Sequence, residues 1–231
     1  MFEIVTNLEW KPFILSFELS LITACVLFIL MLPLAWWLSQ TKSKFKPIVE
    51  AITALPIVLP PSVLGFYILM ALSQNSPLGK FFYEVFDVSL VFSFTGLIIA
   101  SVFYSMPFMV QPLQNGFESL NKNMLEASYI SGKGKIETIF RVALPNMKPA
   151  LMTALIVTFA HTVGEFGVVL MVGGSIPEET KVASVAIYEF VEVMDYTQAH
   201  IYSAIMVLIS FATLLGVYIF NRRQNEKLGL L

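Results

Sequence analysis

The chain has 231 residues, 57% of them hydrophobic and 13% charged, and its mean hydropathy is +0.77. A water-soluble domain carries about 25% charged residues, so this composition belongs to a protein solvated by lipid. The net charge of −2 and the lack of a basic tract argue against nucleic acid, and a single cysteine, Cys25, excludes an intramolecular disulfide.

The N-terminus carries Glu3 and Glu9 instead of the basic flank of a cleaved signal peptide, and the apolar run that follows is too long for a signal core. That run is therefore expected to stay as a membrane span. Five stretches can cross hydrocarbon about 30 Å thick: 13–38, 48–72, 90–113, 149–172 and 199–220. The expectation is an all-α, polytopic membrane protein with five transmembrane helices in a single domain, 1–231. Lys42, Lys44 and Lys46, then Lys122, Lys133, Lys135, Arg141 and Lys148, then Arg222, Arg223 and Lys227 fall on one side of such a layout. These are eleven of the fourteen basic residues, while Lys11, Lys80 and Lys181 fall on the other side. The positive-inside rule then puts the N-terminus outside and the C-terminus in the cytoplasm.

The first span contains Pro33 and ends at Trp36-Trp37, an interfacial aromatic pair; Glu18 belongs at headgroup level or against another helix. The second holds Pro56, Pro60 and Pro61. Each proline removes a helical hydrogen bond, and the freed carbonyls need protein or water. Either a static kink or a bent, pathway-lining helix fits this pattern. The third span carries Pro107 and Pro112.

The longest polar interruption follows, with its distinctive part at 121–145. Asn123 and Glu126 have capping-box spacing, and Gly132 suits a left-handed helix stop. Ala127 and Ser128 are small enough for another surface to approach the backbone. After Gly134, residues Ile136, Ile139, Phe140 and Ala143 make an apolar stripe, and Leu144-Pro145 ends or kinks that helix. The segment reads either as a connecting loop or as a helical knob offered to a partner.

The fourth span contains His161-Thr162-Val163-Gly164-Glu165-Phe166-Gly167. His161 and Glu165 would share a helix face, and Gly164 and Gly167 would admit a neighbouring backbone. A carboxylate at this depth calls for a partner or a polar cavity. A structural Glu–His pair and a gate or pathway element are both compatible with it. Two ligands fall short of the four of a zinc site. The outward 173–198 loop is acidic, with Glu178, Glu179, Glu189, Glu192 and Asp195. Its 182–193 part is apolar enough for an amphipathic or re-entrant segment across the outer mouth, on which a binding protein would dock, and a solvated loop is the alternative. The fifth span begins at His200.

No phosphate-binding loop, nucleophile elbow or metal cluster occurs, so neither enzymatic activity nor a cofactor is expected. Five helices are few to enclose a gated path, which argues for a second copy around an axis.

Glu126-Ala127-Ser128, Gly132 and Val142-x-Leu144-Pro145 closely resemble the signature loop of ABC importer permeases; Ser128 and Val142 are departures that conserve size. The Leu55–Phe66 run resembles one typical of molybdate permeases, and Gly164-Glu165-Phe166-Gly167 resembles a stretch of permeases for molybdate, tungstate and sulfate. The resemblance implies a type I ABC importer permease fold. Its cytoplasmic coupling helix would use Glu126, Ala127, Ser128, Gly132, Leu144 and Pro145. Pro56, Pro60, Pro61, His161, Gly164, Glu165 and Gly167 would serve the pathway, its gate or helix packing. It further implies two ABC ATPase subunits, a second permease copy as homodimer, a periplasmic molybdate-binding protein and a bacterial inner membrane. Glu165 is a poor ligand for an oxyanion, because like charges repel. Rival readings are a tungstate or sulfate permease and an ATP-independent channel or secondary transporter.

Overall fold

A computed structural model describes residues 8–227, with the backbone alone at 217 and 220–227. Glu3 in the N-terminal flank, and the side chains of Arg222, Arg223 and Lys227 in the basic tail, lie outside the described residues.

The described chain is helical throughout. α1 (Lys11–Gln40) starts on Pro12 and runs through Pro33 without interruption. α5 (Phe94–Glu118) starts on Ser93, whose hydroxyl accepts the Gly96 N–H at 3.2 Å, and contains Pro107 and Pro112. α11 spans Tyr196–Lys227. By length and composition, α1, α5 and the Tyr196–Gly216 part of α11 are able to cross a membrane. The count reaches five when two bent pairs are each taken as one span.

The first bent pair is α2 (Lys46–Val58) with α3 (Pro61–Leu72), whose axes turn by 112°. The expected bend is therefore a full break. Leu59 is extended, at ψ 137°, as a residue before proline must be, and Pro60 at ψ 136° continues the break. Each half is about 20 Å long or less, short of the hydrocarbon thickness. α4 (Pro77–Phe86) follows. Between α5 and the next long helix lie α6 (Lys122–Ile130) and α7 (Lys135–Asn146), and α7 meets α8 (Lys148–Val163) at 84°. The fourth apolar run is divided as well. α8 stops at Val163 and α9 (Gly167–Gly173) resumes after a three-residue break. α10 (Ala183–Glu192) precedes α11.

α5 is the axis of the bundle. At one end Met109, Leu113 and Phe117 pack with Leu27 of α1 and Ala154 of α8. At the other end Leu97 packs with Leu15, Leu19 and Val169. On a third flank Ala100 meets Ile68 and Leu72 of α3 and Val168 and Val172 of α9. The two detached half-helices, α3 and α9, dock on each other through glycine. A Cβ on Gly167 would lie 2.8 Å from Pro61 Cβ, and one on Gly65 would lie 2.9 Å from Met171 Cβ. The close approach expected at Gly164 does not occur: its nearest atoms are carbonyls one turn back in its own helix, at 3.8 and 3.9 Å. α11 is anchored near its start, where buried Tyr202 stacks on Phe13 at 4.9 Å and donates to the Glu9 carbonyl at 2.9 Å.

These contacts separate the two glycines experimentally. Gly167→Ala is expected to cost about 1–3 kcal/mol through overpacking against Pro61. Gly164→Ala should cost less than about 0.5 kcal/mol, and thermal unfolding in detergent would rank the two.

Candidate functional site

The segment between α5 and α8 is built from two short helices closed on each other. α6 is capped by Asn121, whose side-chain oxygen accepts the Asn123 N–H at 2.9 Å. The expected capping box at Asn123 is thus displaced by two residues, because Asn121 reaches the free N–H groups first, and Glu126 stands exposed on the second turn. The stop is as expected. Gly132 has φ +80°, its N–H bonds the Tyr129 carbonyl at 2.9 Å, and the Lys133 N–H bonds Ser128 at 3.2 Å. That pair of bonds is a Schellman motif.

Ser128 is buried, and its hydroxyl pairs with Thr138 at 2.9 Å. It ties α6 to α7 and leaves Ala127, not Ser128, as the small residue on the outer surface. Leu125 is buried in the cluster that holds Phe117, Ala143 and Met147. α7 widens into a π turn at Ile139–Ala143, with the Leu144 N–H reaching the Ile139 carbonyl. Pro145 has no N–H, and Asn146 Nδ2 donates to the Val142 carbonyl at 2.6 Å in the same turn. The wide turn splits the expected apolar stripe. Ala143 is buried and Ile139 half-buried, with Leu144 against the core, whereas Ile136 and Phe140 are 74% and 60% exposed. Ile130, at the end of α6, is 87% exposed. Lys135, Glu137 and Arg141 share a depression with Ile136 and Phe140, and Arg141 bonds Glu137 at 3.3 Å. Apolar side chains rimmed by charge are a pattern found at protein and membrane contact surfaces.

At membrane depth the structure separates His161 from Glu165. α8 ends between them, so they share no helix face and do not pair. His161 lies against Phe108 and Tyr104, with ring centroids 3.9 and 4.9 Å away, and its Nδ1 is 3.0 Å from Ser105 Oγ. Proton counting orders this chain. Thr162 gives its one hydroxyl proton to the Thr158 carbonyl at 3.0 Å, so Ser105 donates to Thr162 at 2.9 Å. His161 Nδ1–H then donates to Ser105. The break itself is held by Ser184, which donates to the Glu165 carbonyl at 2.6 Å. The Glu165 carboxyl is buried and neither oxygen has a hydrogen-bond partner; Ser101 lies beside it without a bond of ordinary geometry. Such a group is costly in hydrocarbon unless a partner or polar space meets it.

Two further clusters flank the bundle. Near the Glu118 end, Gln114 Nε2 donates to Glu50 at 2.7 Å and to Glu118 at 3.0 Å, and Lys46 reaches Glu118 at 3.2 Å. Gln114 and Glu118 drew no notice in the sequence, although polar side chains spaced by four in an apolar run were the available signal. At the other end, α10 is amphipathic: Ala183, Val185 and Ala186 are buried and the Ala183 N–H bonds Ser16 at 2.9 Å. Glu189 is half-buried against Lys181 and Ser175, whereas Glu178 is exposed. Glu18 is exposed, so it packs against no helix.

The described residues thus combine broken half-helices docked through glycine, the packed helices α1, α5 and α8, and an exposed helical knob at one end. A solved bacterial ABC transporter involved in the import of the acidic polysaccharide alginate matches in fold, with a TM-score of 0.77 over 96% of this chain and 82% of that one, at 17% identity. The chain belongs to the family of binding-protein-dependent transport system inner membrane components, whose model matches residues 20–228. It is 47% identical over 208 residues, 90% of this chain and 92% of the relative, to the molybdenum transport system permease protein ModB of Azotobacter vinelandii. It is 32% identical over 188 residues, 81% of this chain and 65% of the relative, to the sulfate transport system permease protein CysT of Synechocystis sp..

The Glu189 clip has a pH signature. Burial opposes its ionisation, but the hydrogen bonds from Lys181 and Ser175 and the Lys181 charge outweigh that and lower its pKa. A lowered carboxyl stabilises the fold above the ordinary carboxylate range, and the contribution is lost as pH falls through the lowered value. Once the intrinsic pH dependence of exchange is divided out, protection factors in 175–189 should therefore fall as pH drops below the ordinary carboxylate range, and Glu189→Gln should flatten that acid response.

Proposed function

We propose that the whole chain is one permease domain of an ATP-driven importer, and that it moves molybdate received from a binding protein across a bacterial inner membrane. The observation that carries this reading is the 47% identity, spread over nine-tenths of both chains, to a molybdenum permease. The sulfate permease is matched at lower identity, 32% against 47%, which favours molybdate over sulfate. Two copies of the chain enclose the path, and each presents its α6–α7 segment to one of two ATPase subunits. The excess of Lys and Arg on one side supports a cytoplasmic segment and an external N-terminus.

The path of force follows the packing. An ATPase seated on Glu126, Ala127, Ile136 and Phe140 pushes on α6. Leu125 carries the push into the core, and the Ser128–Thr138 bond carries it to α7. Leu144-Pro145 and the corner that follows at Met147 then turn α8, which ends at the Gly164-Glu165-Phe166 break. There α9, docked on α3, moves as a separate body. ATP binding draws the two segments together and opens the outer mouth, and hydrolysis resets it.

Gly132 isolates the coupling step. It has open space around it and φ +80°, a conformation that Asp adopts more readily than most residues. Gly132→Asp is therefore expected to abolish molybdate uptake while leaving membrane insertion intact; normal uptake by this variant would contradict the coupling role. Competition of labelled molybdate uptake by tungstate and sulfate would rank the ions, and preferential block by sulfate would reassign the substrate.

A further inference from the structure

The geometry points to a tetrahedral-oxyanion site in the groove between α5 and α8, formed by the side-chain amides of Gln111 and Asn115. This deepens the importer reading above and rests on it. The groove has a volume of about 540 Å³, and no charged side chain lines it. Gln111, Asn115 and Ser119 are spaced by four on α5 and form one stripe along it, and Thr153 of α8 lines the same space. Gln111 lies seven residues, about 10 Å, inside the Glu118 end of α5. Both amides are exposed. At that depth an exposed amide facing hydrocarbon would lose its hydrogen bonds, so a polar, ion-accepting space is the compatible neighbour.

Proton counting selects the two donors. Ser119 gives its proton to the Gly116 carbonyl at 2.8 Å, and Thr153 gives its own to Pro149 at 2.9 Å. Gln114, on the adjoining face, is committed to Glu50 and Glu118. The side-chain amides of Gln111 and Asn115 hydrogen-bond to none of the described residues, so each keeps two N–H donors. They also line a second cleft of about 340 Å³, in which the one charged residue, Glu50, is held by Gln114 and lies 3.6 Å from Lys46. Neutral donors suit an ion in transit. They replace part of its hydration without the grip of a lysine or arginine, and conduction requires that an ion bind well enough to enter and weakly enough to leave.

The test uses the complete transporter, this chain with its ATPase and binding protein, reconstituted in vesicles and supplied with labelled molybdate. Gln111→Glu and Asn115→Asp replace donors with carboxylates at nearly constant shape, and Gln111→Leu and Asn115→Leu remove the donors without adding charge. Each assembled variant is expected to lower uptake by about tenfold or more, the scale of one hydrogen bond to a charged group, and uptake within about twofold of wild type in all of them would overturn the site. Should the substitutions prevent assembly, Gln111→Cys in a Cys25→Ser background supplies a second measurement. Molybdate should slow its modification by an anionic thiol reagent, and an unchanged rate would overturn the site. Absence of uptake by the wild-type complex would instead overturn the importer reading, and this site with it.

Discussion

Hydrocarbon forms no hydrogen bonds, so every place where a helix of this chain stops at membrane depth has to be closed by protein. That constraint organises the fold. The chain breaks two of its apolar runs, after Val58 and after Val163, and then packs the resulting half-helices, α3 and α9, onto each other and onto α5. Glycine makes the contact close: Gly65 admits Met171, and Gly167 admits Pro61. The unbroken α1, α5 and α8 carry the mechanical continuity, and the docked α3–α9 unit can move without unravelling them. Ser184 on the Glu165 carbonyl is the small bond that keeps the second break closed.

The exposed segment beyond α5 obeys the opposite rule. It lies at the end of the bundle, carries charge, and leaves Ile130, Ile136 and Phe140 uncovered while burying Leu125 and Ala143. A surface of this kind is held rigid from within and left unfinished outside. The π turn is what makes the division possible, because it shifts the register so that one stripe of apolar residues serves two faces. The chain turns from the knob into α8 at Met147 (φ −117°, ψ 25°), two residues past Pro145.

Much of this was legible in the residues. The left-handed stop at Gly132, the break at Pro60-Pro61 and the membrane character of the chain all follow from local chemistry: positive φ, the restriction before proline, and composition. The corner expected at Leu144-Pro145 falls instead at Met147, past a helical turn that accommodates the proline. What was misread depended on neighbours distant in sequence. Spacing alone put His161 and Glu165 on one face, but the helix ends between them, and His161 turns instead to Ser105. Ser128 read as part of an outer knob, but Thr138 draws it inside. Gly164 and Gly167 looked equivalent, and only Gly167 meets another helix.

The sequence by itself determined which stretches belong in lipid, where their helices must break, and which short segment is shaped for a partner, because those outcomes rest on side-chain solvation and backbone sterics within a few residues. The tertiary structure alone decided which hydroxyl protons are already committed and which amides remain unpaired. It also decided which glycine bears a contact and which face of α7 is left open. Those depend on residues up to more than a hundred positions apart, such as Ser16 with Ala183, brought together by packing around α5.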